Sequence, residues 1–244
     1  LPRIYTIIRE INNRFCQYCN EIGAASDLES MSIIHNNMIR MANLCIVGSY
    51  NVNGVSGLHT DILKADTFEA FNRIYPGKFN NVTNGIAHRR WLGQANPELT
   101  NYLNGLLGGD FIKDLSNIEE LLKYADDKTV LADLEKIKYT KKEQLAKYIK
   151  DANGINVDIN SIFDVQVKRL HEYKRQLLNA LHIVYLYRQI KFNGLRPRPR
   201  TFIFAAKASS GYVMAKNIIK FICTLSEMIE ADPLVRDYIK VVFL

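Results

Sequence analysis

SIFDVQVKRLHEYKR, residues 161–175, joins a short β-prone run to a dense basic segment. The run at 161–167 has the character of a strand, and an apolar side repeats at helical spacing from about residue 171 to residue 191. Strand-like runs recur at 201–206 and 239–244, with a helical stretch between them. Strands that alternate with helices are typical of a parallel sheet covered by helices. The sequence therefore predicts an α/β fold for this part of the chain.

The amino-terminal part of the chain reads differently, because its apolar positions follow helical spacing over long stretches. Helix is predicted over 2–47, 58–74 and 106–152. Between the first two lies an Asn- and Gly-rich loop at 48–57, where small residues let the backbone approach another segment closely. Turn signals place a second loop at 75–90. A helical segment is thus predicted to precede the parallel sheet.

The basic segment after the first strand is the densest candidate site. Four permanent cations fall within eight residues, at Lys168, Arg169, Lys174 and Arg175. They repel one another unless an anion balances them, and a helix N-terminus adds backbone N–H donors and a positive dipole end. Arg169 can hold a phosphate as a two-pronged fork, while Lys168 and Lys174 act as point charges. A solvated basic helix start is the alternative interpretation.

The position of this segment favours a binding site over a solvated surface. Ligands of parallel α/β sheets sit at the carboxyl ends of the strands. Lys168 and Lys207 each come just after a predicted strand. We therefore expect ligand-binding and catalytic residues at this edge of the sheet.

Three further stretches are weaker candidates for a functional site. Asn84 belongs to an Asn-Gly turn signal and could bind a hydroxyl, while Trp91 could be a stacking platform or a packed anchor. Residues 206–212 form a small-residue turn that opens a helix, but they match neither the dinucleotide nor the P-loop pattern. The RPRPR stretch at 196–200 reads as a surface connector with no assigned role.

Composition narrows the class of partner. The net charge of +7 and the pI near 9.1 make an anionic partner plausible, either nucleic acid or phosphate. A nucleic-acid surface needs aromatic side chains interleaved with the basic ones, and Tyr173 is the only aromatic residue in the cluster. No apolar run approaches the roughly 20 residues of a membrane span. We predict neither a nucleic-acid nor a membrane partner.

The cysteines favour a reducing compartment. Cys16 and Cys19 form a C-x-x-C pair, but a structural zinc site would need a second pair of ligands at matching spacing. Cys45 and Cys223 are scattered elsewhere. For the C-x-x-C pair we predict buried thiols without a metal, and the unpaired, scattered set predicts a cytoplasmic location.

Short strings recur in one family order along the chain. They are LPR at 1–3, NGV at 53–55, LH at 58–59, KFN at 78–80, TNGI at 83–86, RRW at 89–91, FDVQVKR at 163–169, HEYKRQ at 171–176, KA at 207–208, GY at 211–212, MAK at 214–216 and VFL at 242–244. Together they resemble the pyridoxal-phosphate-dependent glycogen and maltodextrin phosphorylases. Because the sequence starts without Met and ends in a strand-like run, we expect both ends to be internal to a longer protein.

The resemblance implies a fold and a reaction. It implies two Rossmann-like domains, with 1–82 as the closing helical part of the first and 83–244 as the first part of the second. The implied activity is cleavage of terminal α-1,4-glucosidic bonds of a glucan by orthophosphate, giving glucose 1-phosphate. The implied cofactor is pyridoxal 5′-phosphate, and the implied assembly of the parent is a homodimer. The chain alone is expected to be inactive.

The resemblance also assigns roles by motif position. Arg169 and Lys174 resemble ligands of the substrate phosphate, and Lys168 resembles the neighbour of the cofactor phosphate. Asn84 resembles the side chain that hydrogen-bonds a hydroxyl of the reacting glucose. Trp91 resembles a wall of the cofactor pocket.

Some family features are absent from these residues. The cofactor lysine of the family sits in a Gly-Asn-Met-Lys context that does not occur here, so no lysine is assigned to the cofactor. Tyr50 and the Ala87-His88 pair depart from common family residues, and no regulatory site is carried over. A non-catalytic glucan- or anion-binding paralogue is the alternative function.

Overall fold

The computed structural model describes residues 2–109 and 111–244. Leu1 and Asp110 lie outside the described residues, and with them the first position of the LPR string and one position of the helix predicted over 106–152. The chain forms two compact units, Leu1–His88 and Arg89–Leu244. The domain assignment with a boundary after residue 82 stays a prediction.

Unit 1 is built mainly from helices. Its elements are α1 (Pro2–Glu21), α2 (Leu28–Met31), β1 (Ile34–His35), β2 (Met38–Ile39), α3 (Met41–Gly48), β3 (Val52–Gly54), α4 (Gly57–Ile62), a π-helical turn (Leu63–Thr67), α5 (Glu69–Ile74) and β4 (Phe79–Asn81). Helix α1 buries Ile8, Phe15 and Cys19, which recur at helical spacing on one side. The Phe15 ring stacks on Phe71 with centroids 5.9 Å apart, so α1 and α5 share one apolar core.

The helix predicted over 2–47 is confirmed in α1, α2 and α3 but is wrong between them. Gly23 adopts a left-handed backbone with φ of 74°, which ends the helix. A two-residue hairpin then joins β1 to β2, and Asn36 and Asn37 both have positive φ, as the tight hairpin turn requires. The side-chain oxygen of Asn12 accepts hydrogen bonds from the N–H groups of Ile33 (2.9 Å) and Ile34 (3.1 Å), which tethers the hairpin to α1.

The small-residue loop at 48–57 does bring the backbone close to another segment. Strand β3 lies in it and pairs in parallel with β4, with Val52 opposite Phe79. A Cβ atom at Gly54 would lie 2.0 Å from the hydroxyl oxygen of Thr60 and 2.9 Å from its Cα. Only glycine therefore permits this approach of β3 to α4.

We expect Gly54→Ala to lower the free energy of unfolding by about 2 kcal/mol, because backbone and side chain must shift to admit the methyl group. Chemical denaturation checks this. Gly57→Ala is the matched control, since no atom lies within 4 Å of a Cβ at that position. Equal stability of the two variants would contradict the packing argument.

Unit 2 begins with helices. In order these are a π-helical turn (Arg89–Gln94), α6 (Pro97–Leu107), a 3-10 stretch (Leu115–Tyr124) and α7 (Lys128–Asn153). The helical pattern predicted over 106–152 is interrupted at Gly108, which ends α6 in a left-handed conformation with φ of 68°. The Asp127 carboxylate then accepts from the N–H groups of Thr129 and Val130 and starts α7 anew.

The second half of unit 2 is the parallel sheet that the sequence predicts. Its elements are β5 (Ile162–Val167), a 3-10 turn (Glu172–Lys174), α8 (Gln176–Asn193), β6 (Arg200–Ala205), α9 (Val213–Glu230) and β7 (Ile239–Phe243). The strands lie in the order β5-β6-β7 and all pair in parallel. The predicted α/β class, a partial Rossmann-like sheet preceded by a helical segment, is confirmed.

Helices cover both faces of this sheet. Phe202 and Phe204 of β6 point to one face and pack in a core with α8 and α9. Ile203 points to the other face and packs with Ile149 of α7. Side chains of one strand alternate between faces, and a strand buried on both sides is apolar at every position. The buried run through β6 therefore fixes the sheet as the middle layer of unit 2.

Polar side chains near the C-terminal end of α8 bind the segment that follows α9. Asp232, in the connection after α9, pairs with Lys191 at 2.7 Å and accepts a hydrogen bond from the Tyr187 hydroxyl at 2.6 Å. These two partners, Lys191 first, lower the pKa of Asp232 from 3.8 to about 2. The same contacts raise the pKa of Lys191.

The lowered pKa of Asp232 predicts an acid-sensitive contribution to stability. A depressed folded-state pKa stabilises the fold above the unfolded value, and that contribution disappears as the pH falls from 3.8 toward about 2. Asp232→Asn should lower the free energy of unfolding at neutral pH and flatten its pH dependence in that window. Urea titrations at several pH values measure this, with exposed Asp237→Asn as the control; parallel pH profiles of Asp232→Asn and the unmodified chain would contradict it.

Burial dominates the chemistry of the C-x-x-C pair. Cys19 is fully buried in α1, and its burial, followed by the nearby Cys16, raises its pKa to about 11. Burial also raises the pKa of Cys16. Both side chains are therefore thiols at neutral pH.

Among the helices of the described residues, none is long and apolar enough to cross a bilayer.

Candidate active site

The basic loop, residues 168–175, follows β5 at the carboxyl edge of the parallel sheet. The Lys168 N–H donates to the Ala205 carbonyl at 3.1 Å, and the Leu170 N–H donates to the Lys207 carbonyl at 3.2 Å. Leu170 itself is 3% exposed and belongs to the core beneath. The loops after β5 and β6 thus run side by side, and Lys168 and Lys207 lie just past their strands as the sequence predicts.

Helix α8 begins at Gln176, so the start near His171 that the sequence predicts is wrong. Residues Glu172–Lys174 form a 3-10 turn, and the His171 ring nitrogen accepts from the Tyr173 N–H at 3.4 Å. Arg175 then takes a left-handed backbone with φ of 63°, which breaks the helical path and costs about 1 kcal/mol for a residue with a side chain. The four cations therefore all precede the helix.

Side-chain amides hold the basic loop in place. Gln176 is 2% exposed, and its NH2 group donates to the carbonyl of Arg169 at 3.2 Å. From β5, the Gln166 NH2 group donates to the carbonyl of Lys174 at 3.1 Å. Asn179 of α8 in turn donates to the Gln166 side-chain oxygen at 3.0 Å. Amides from the strand and the helix therefore fix both ends of the loop.

The acidic residue of the loop is turned away from its cations. The Tyr212 hydroxyl donates to the Glu172 carboxylate at 2.7 Å and accepts from the Glu172 N–H at 3.3 Å. The hydrogen bond to Glu172 raises the pKa of Tyr212. The His171 ring packs between Tyr173 and Tyr212, with centroids 4.4 Å and 5.4 Å away. Glu172 and His171 therefore join the basic loop to the start of α9.

The cations of the basic loop are left without acidic partners. Within the described ranges, no carboxylate lies within 4.0 Å of Lys168, Arg169, Lys174 or Arg175. The first two and Arg175 are exposed, and the Lys174 ammonium lies 5.5 Å from the centre of the Tyr173 ring. Positive charge held at fixed positions stabilises an anion without rearrangement. The arrangement of charge in this loop therefore suits an anion.

The structure brings only some of the predicted site residues together. Lys168, Arg169 and Lys174 share the basic loop. Asn84 belongs to unit 1, where it is exposed in the irregular segment after β4. Trp91 lies in the first turn of unit 2 and is 72% exposed, with the Arg90 guanidinium 5.2 Å from its ring centre. Within the described residues no ring contact joins Trp91 to the loop.

Sequence reasoning missed the amides that position the loop. Gln166 and Gln176 were part of the matched strings, but neither was given a role. A polar amide within a β-prone strand and another directly before an apolar helix face are signals of hydrogen-bonded interior positions. Asn179 and Tyr212 carried no such signal, because their partners lie 13 and 40 residues away along the chain.

Comparison with known protein families identifies the family of this chain. The carbohydrate phosphorylase model matches residues 1–244. The chain belongs to the carbohydrate phosphorylase family. It is 48% identical to glycogen phosphorylase of Bacillus subtilis, 44% identical to the muscle form of glycogen phosphorylase of Mus musculus and 41% identical to cytosolic alpha-glucan phosphorylase 2 of Arabidopsis thaliana. Each match covers 100% of this chain.

The phosphorylase chain spans about a third of the length of these relatives, with 31% of the Bacillus protein and 30% of the other two covered. The resemblance drawn from its sequence strings is confirmed at the level of the family.

For this phosphorylase chain we expect Gln176→Met to loosen the basic loop. The loop carbonyl of Arg169 loses its donor, and one hydrogen bond contributes about 1 kcal/mol, so backbone amides of residues 168–175 should exchange about fivefold faster. Hydrogen-exchange mass spectrometry measures the rates.

Gln189→Met is the control, because Gln189 lies on the same helix and, among the described residues, its side chain accepts from Asn193, at 2.9 Å, and not from the loop. Unchanged exchange in the loop of the Gln176 variant would show that the amide does not position it.

Proposed function

We propose that this chain supplies the substrate-phosphate site of an α-1,4-glucan phosphorylase. In this reaction the bond between C1 of the terminal glucose and the glycosidic oxygen breaks, and a bond from C1 to a phosphate oxygen forms with retained configuration. The glycosidic oxygen leaves with a proton from the substrate phosphate. The observation that carries the proposal is the set of cations without acidic partners on a loop fixed at the carboxyl edge of a parallel sheet.

Arg169 and Lys174 are the residues that bind the substrate phosphate in this proposal. Arg169 is exposed and has two parallel donor directions, which suit two phosphate oxygens. Lys174 is half-buried, and its backbone carbonyl is held by Gln166, so its ammonium starts from a fixed main chain. Charges placed before the reaction stabilise the negative charge that develops on the phosphate as the bond to C1 changes.

Lys168 and Trp91 are the residues that would hold pyridoxal 5′-phosphate. The exposed Lys168 ammonium has no carboxylate within 4.0 Å among the residues described, which fits a neighbouring phosphate group. When bound, the cofactor supplies a phosphate that exchanges a proton with the substrate phosphate. The residue that would attach the cofactor has no matching context in 1–244, so the proposal requires residues outside this chain.

Asn84 completes the proposal on the sugar side by accepting or donating a hydrogen bond to a hydroxyl of the reacting glucose. The proposed domains are 1–82, the end of the first, and 83–244, the start of the second, so Asn84 opens the domain that carries the basic loop. The division of the chain into two compact units nearby, after His88, supports a two-domain organisation. A cytoplasmic homodimer is proposed for the parent by likeness to phosphorylases, one of which is named cytosolic.

In the intact protein that contains this chain, we expect Arg169→Ala to raise the KM for orthophosphate and to reduce phosphorolysis about 100-fold, as removal of a transition-state charge contact does. Initial rates of glucose 1-phosphate release from a glucan, measured across phosphate concentrations, test this.

Arg188→Ala is the matched control, because it removes the same charge from the outer side of α8, where Arg188 packs on Phe192. Near-normal phosphorolysis in the Arg169 variant would contradict the assigned role. Phosphate binding without phosphorolysis in the unmodified protein would instead favour a non-catalytic anion-binding paralogue.

A further inference from the structure

A second cationic cavity lies at the opposite, amino-terminal edge of the parallel sheet. Its volume is about 400 Å³, and it opens between α7 and the start of β5. One side of α7, four residues at helical spacing, forms one wall, residues 159–163 form another, and Arg198 closes the rim. The α7 residues are Glu135, Lys138, Tyr139 and Lys142. We propose that this amino-edge cavity binds a phosphate monoester of a small ring-bearing molecule, a site separate from the basic loop.

Three cations converge on the amino-edge cavity. The Lys142 ammonium donates to the Ser161 carbonyl at 2.7 Å and sits 4.4 Å from the centre of the Phe163 ring. Lys138 and Arg198 are exposed, and within the described part of the chain neither has a carboxylate within 4.0 Å. Glu135 is the one acidic residue of the lining. The cavity thus carries a net positive charge that an anion would neutralise.

The three cations are close enough to influence one another. Burial lowers the pKa of Lys142, Lys138 and Arg198 lower it further, and only Asp158 opposes them. By contrast, Lys141 on the next position of α7 pairs with Glu98 of α6 at 3.4 Å. Lys141 is thus neutralised within the fold, whereas Lys138 and Lys142, which line the cavity, have no ion pair among the described residues.

Of the three arginines in the RPRPR connector, residues 196–200, Arg198 is the one without a protein partner among the described residues. Arg196 donates to the Ile190 carbonyl at 3.1 Å, and Arg200 pairs with Asp164 at 2.7 Å, so both have structural partners. Arg198, between them, has no described partner and lines the cavity. Its flanking prolines have restricted φ angles, and the Pro199 carbonyl accepts from the Ile162 N–H at 2.8 Å. A stiff connector tied to β5 thus presents Arg198 to the cavity.

The remaining lining suits the organic part of a monoester. Tyr139 and Phe163 offer ring faces, Ile159 and Ile162 offer aliphatic surface, and the Asn160 amide can bond a hydroxyl. A volume of about 400 Å³ falls in the range of small-molecule sites. Inorganic phosphate alone would leave most of this space and the apolar wall unused.

The amino-edge cavity cannot share a ligand with the basic loop. The two lie at opposite ends of β5, whose six residues span about 20 Å. A small monoester is much shorter than that. The proposal therefore does not rest on the reaction proposed for the basic loop, and either can fail alone.

The test is a hydrogen-exchange titration of the intact protein that contains this chain, followed at the peptide covering residues 135–142. The probes are inorganic phosphate, glucose 6-phosphate and 4-nitrophenyl phosphate. We expect a monoester to slow exchange in this peptide more strongly than inorganic phosphate does. The two esters distinguish a sugar ring from an aromatic ring as the source of the phosphate.

Variants locate the binding. Lys138→Ala with Arg198→Ala should raise the Kd read at this peptide at least tenfold, because charge-assisted hydrogen bonds are lost. Lys147→Ala with Arg188→Ala removes the same charge outside the cavity and should leave that Kd within about twofold. If the double variant does not fold, Arg198→Gln alone replaces it in the titration, because Arg198 is exposed and its substitution leaves the core intact.

Three results would overturn the proposal. They are no protection of residues 135–142 by either ester, equal protection by inorganic phosphate, and an unchanged Kd in a folded Arg198 variant. Because the readout is local to α7, loss of phosphorolysis in the Arg169 variant bears only on the basic loop.

Discussion

Backbone pairing between β5 and β6 is the interaction on which the candidate site depends. The parallel register sets Val167 opposite Ala205, and it continues past the strands through the hydrogen bonds that Lys168 and Leu170 donate. A slip of one residue would turn the Phe202 side of β6 away from its core and move every side chain to the other face. The burial of β6 on both faces therefore also fixes where the basic loop begins.

Some charged side chains of unit 2 have ion-pair or hydrogen-bond partners within the fold, whereas the cations of the basic loop have no acidic partner among the described residues. Lys191 and Arg200 are engaged by Asp232 and Asp164 and support the layers of the fold. Glu172 is bound by Tyr212 and leaves the cations beside it uncompensated. Clusters of unpaired cations thus lie at both ends of the sheet, where strand ends and loops leave room for ligands. Paired charges support the fold, and these clusters mark the places where binding is expected.

Much of this arrangement could be predicted from sequence, and what was missed has physical reasons. The apolar run of β6 and the helical spacing of α8 and α9 indicate a parallel sheet, and a crowded set of cations indicates an anion site. The hairpin at Asn36 and Asn37 was overlooked because its strands are too short to show alternation, although paired asparagines were a turn signal. The roles of Gln166 and Gln176 depend on carbonyls that only the folded loop brings near.

If the basic loop binds phosphate as proposed, the left-handed backbone at Arg175 and the amides of Gln166 and Gln176 that hold the loop have a consequence for the rate of binding. A loop that is already in its binding shape loses little conformational freedom when an anion arrives. Association then depends on diffusion and on attraction by the local positive potential rather than on a slow closing step. Capture at this edge of the sheet should accordingly slow as ionic strength rises, because dissolved ions screen that potential.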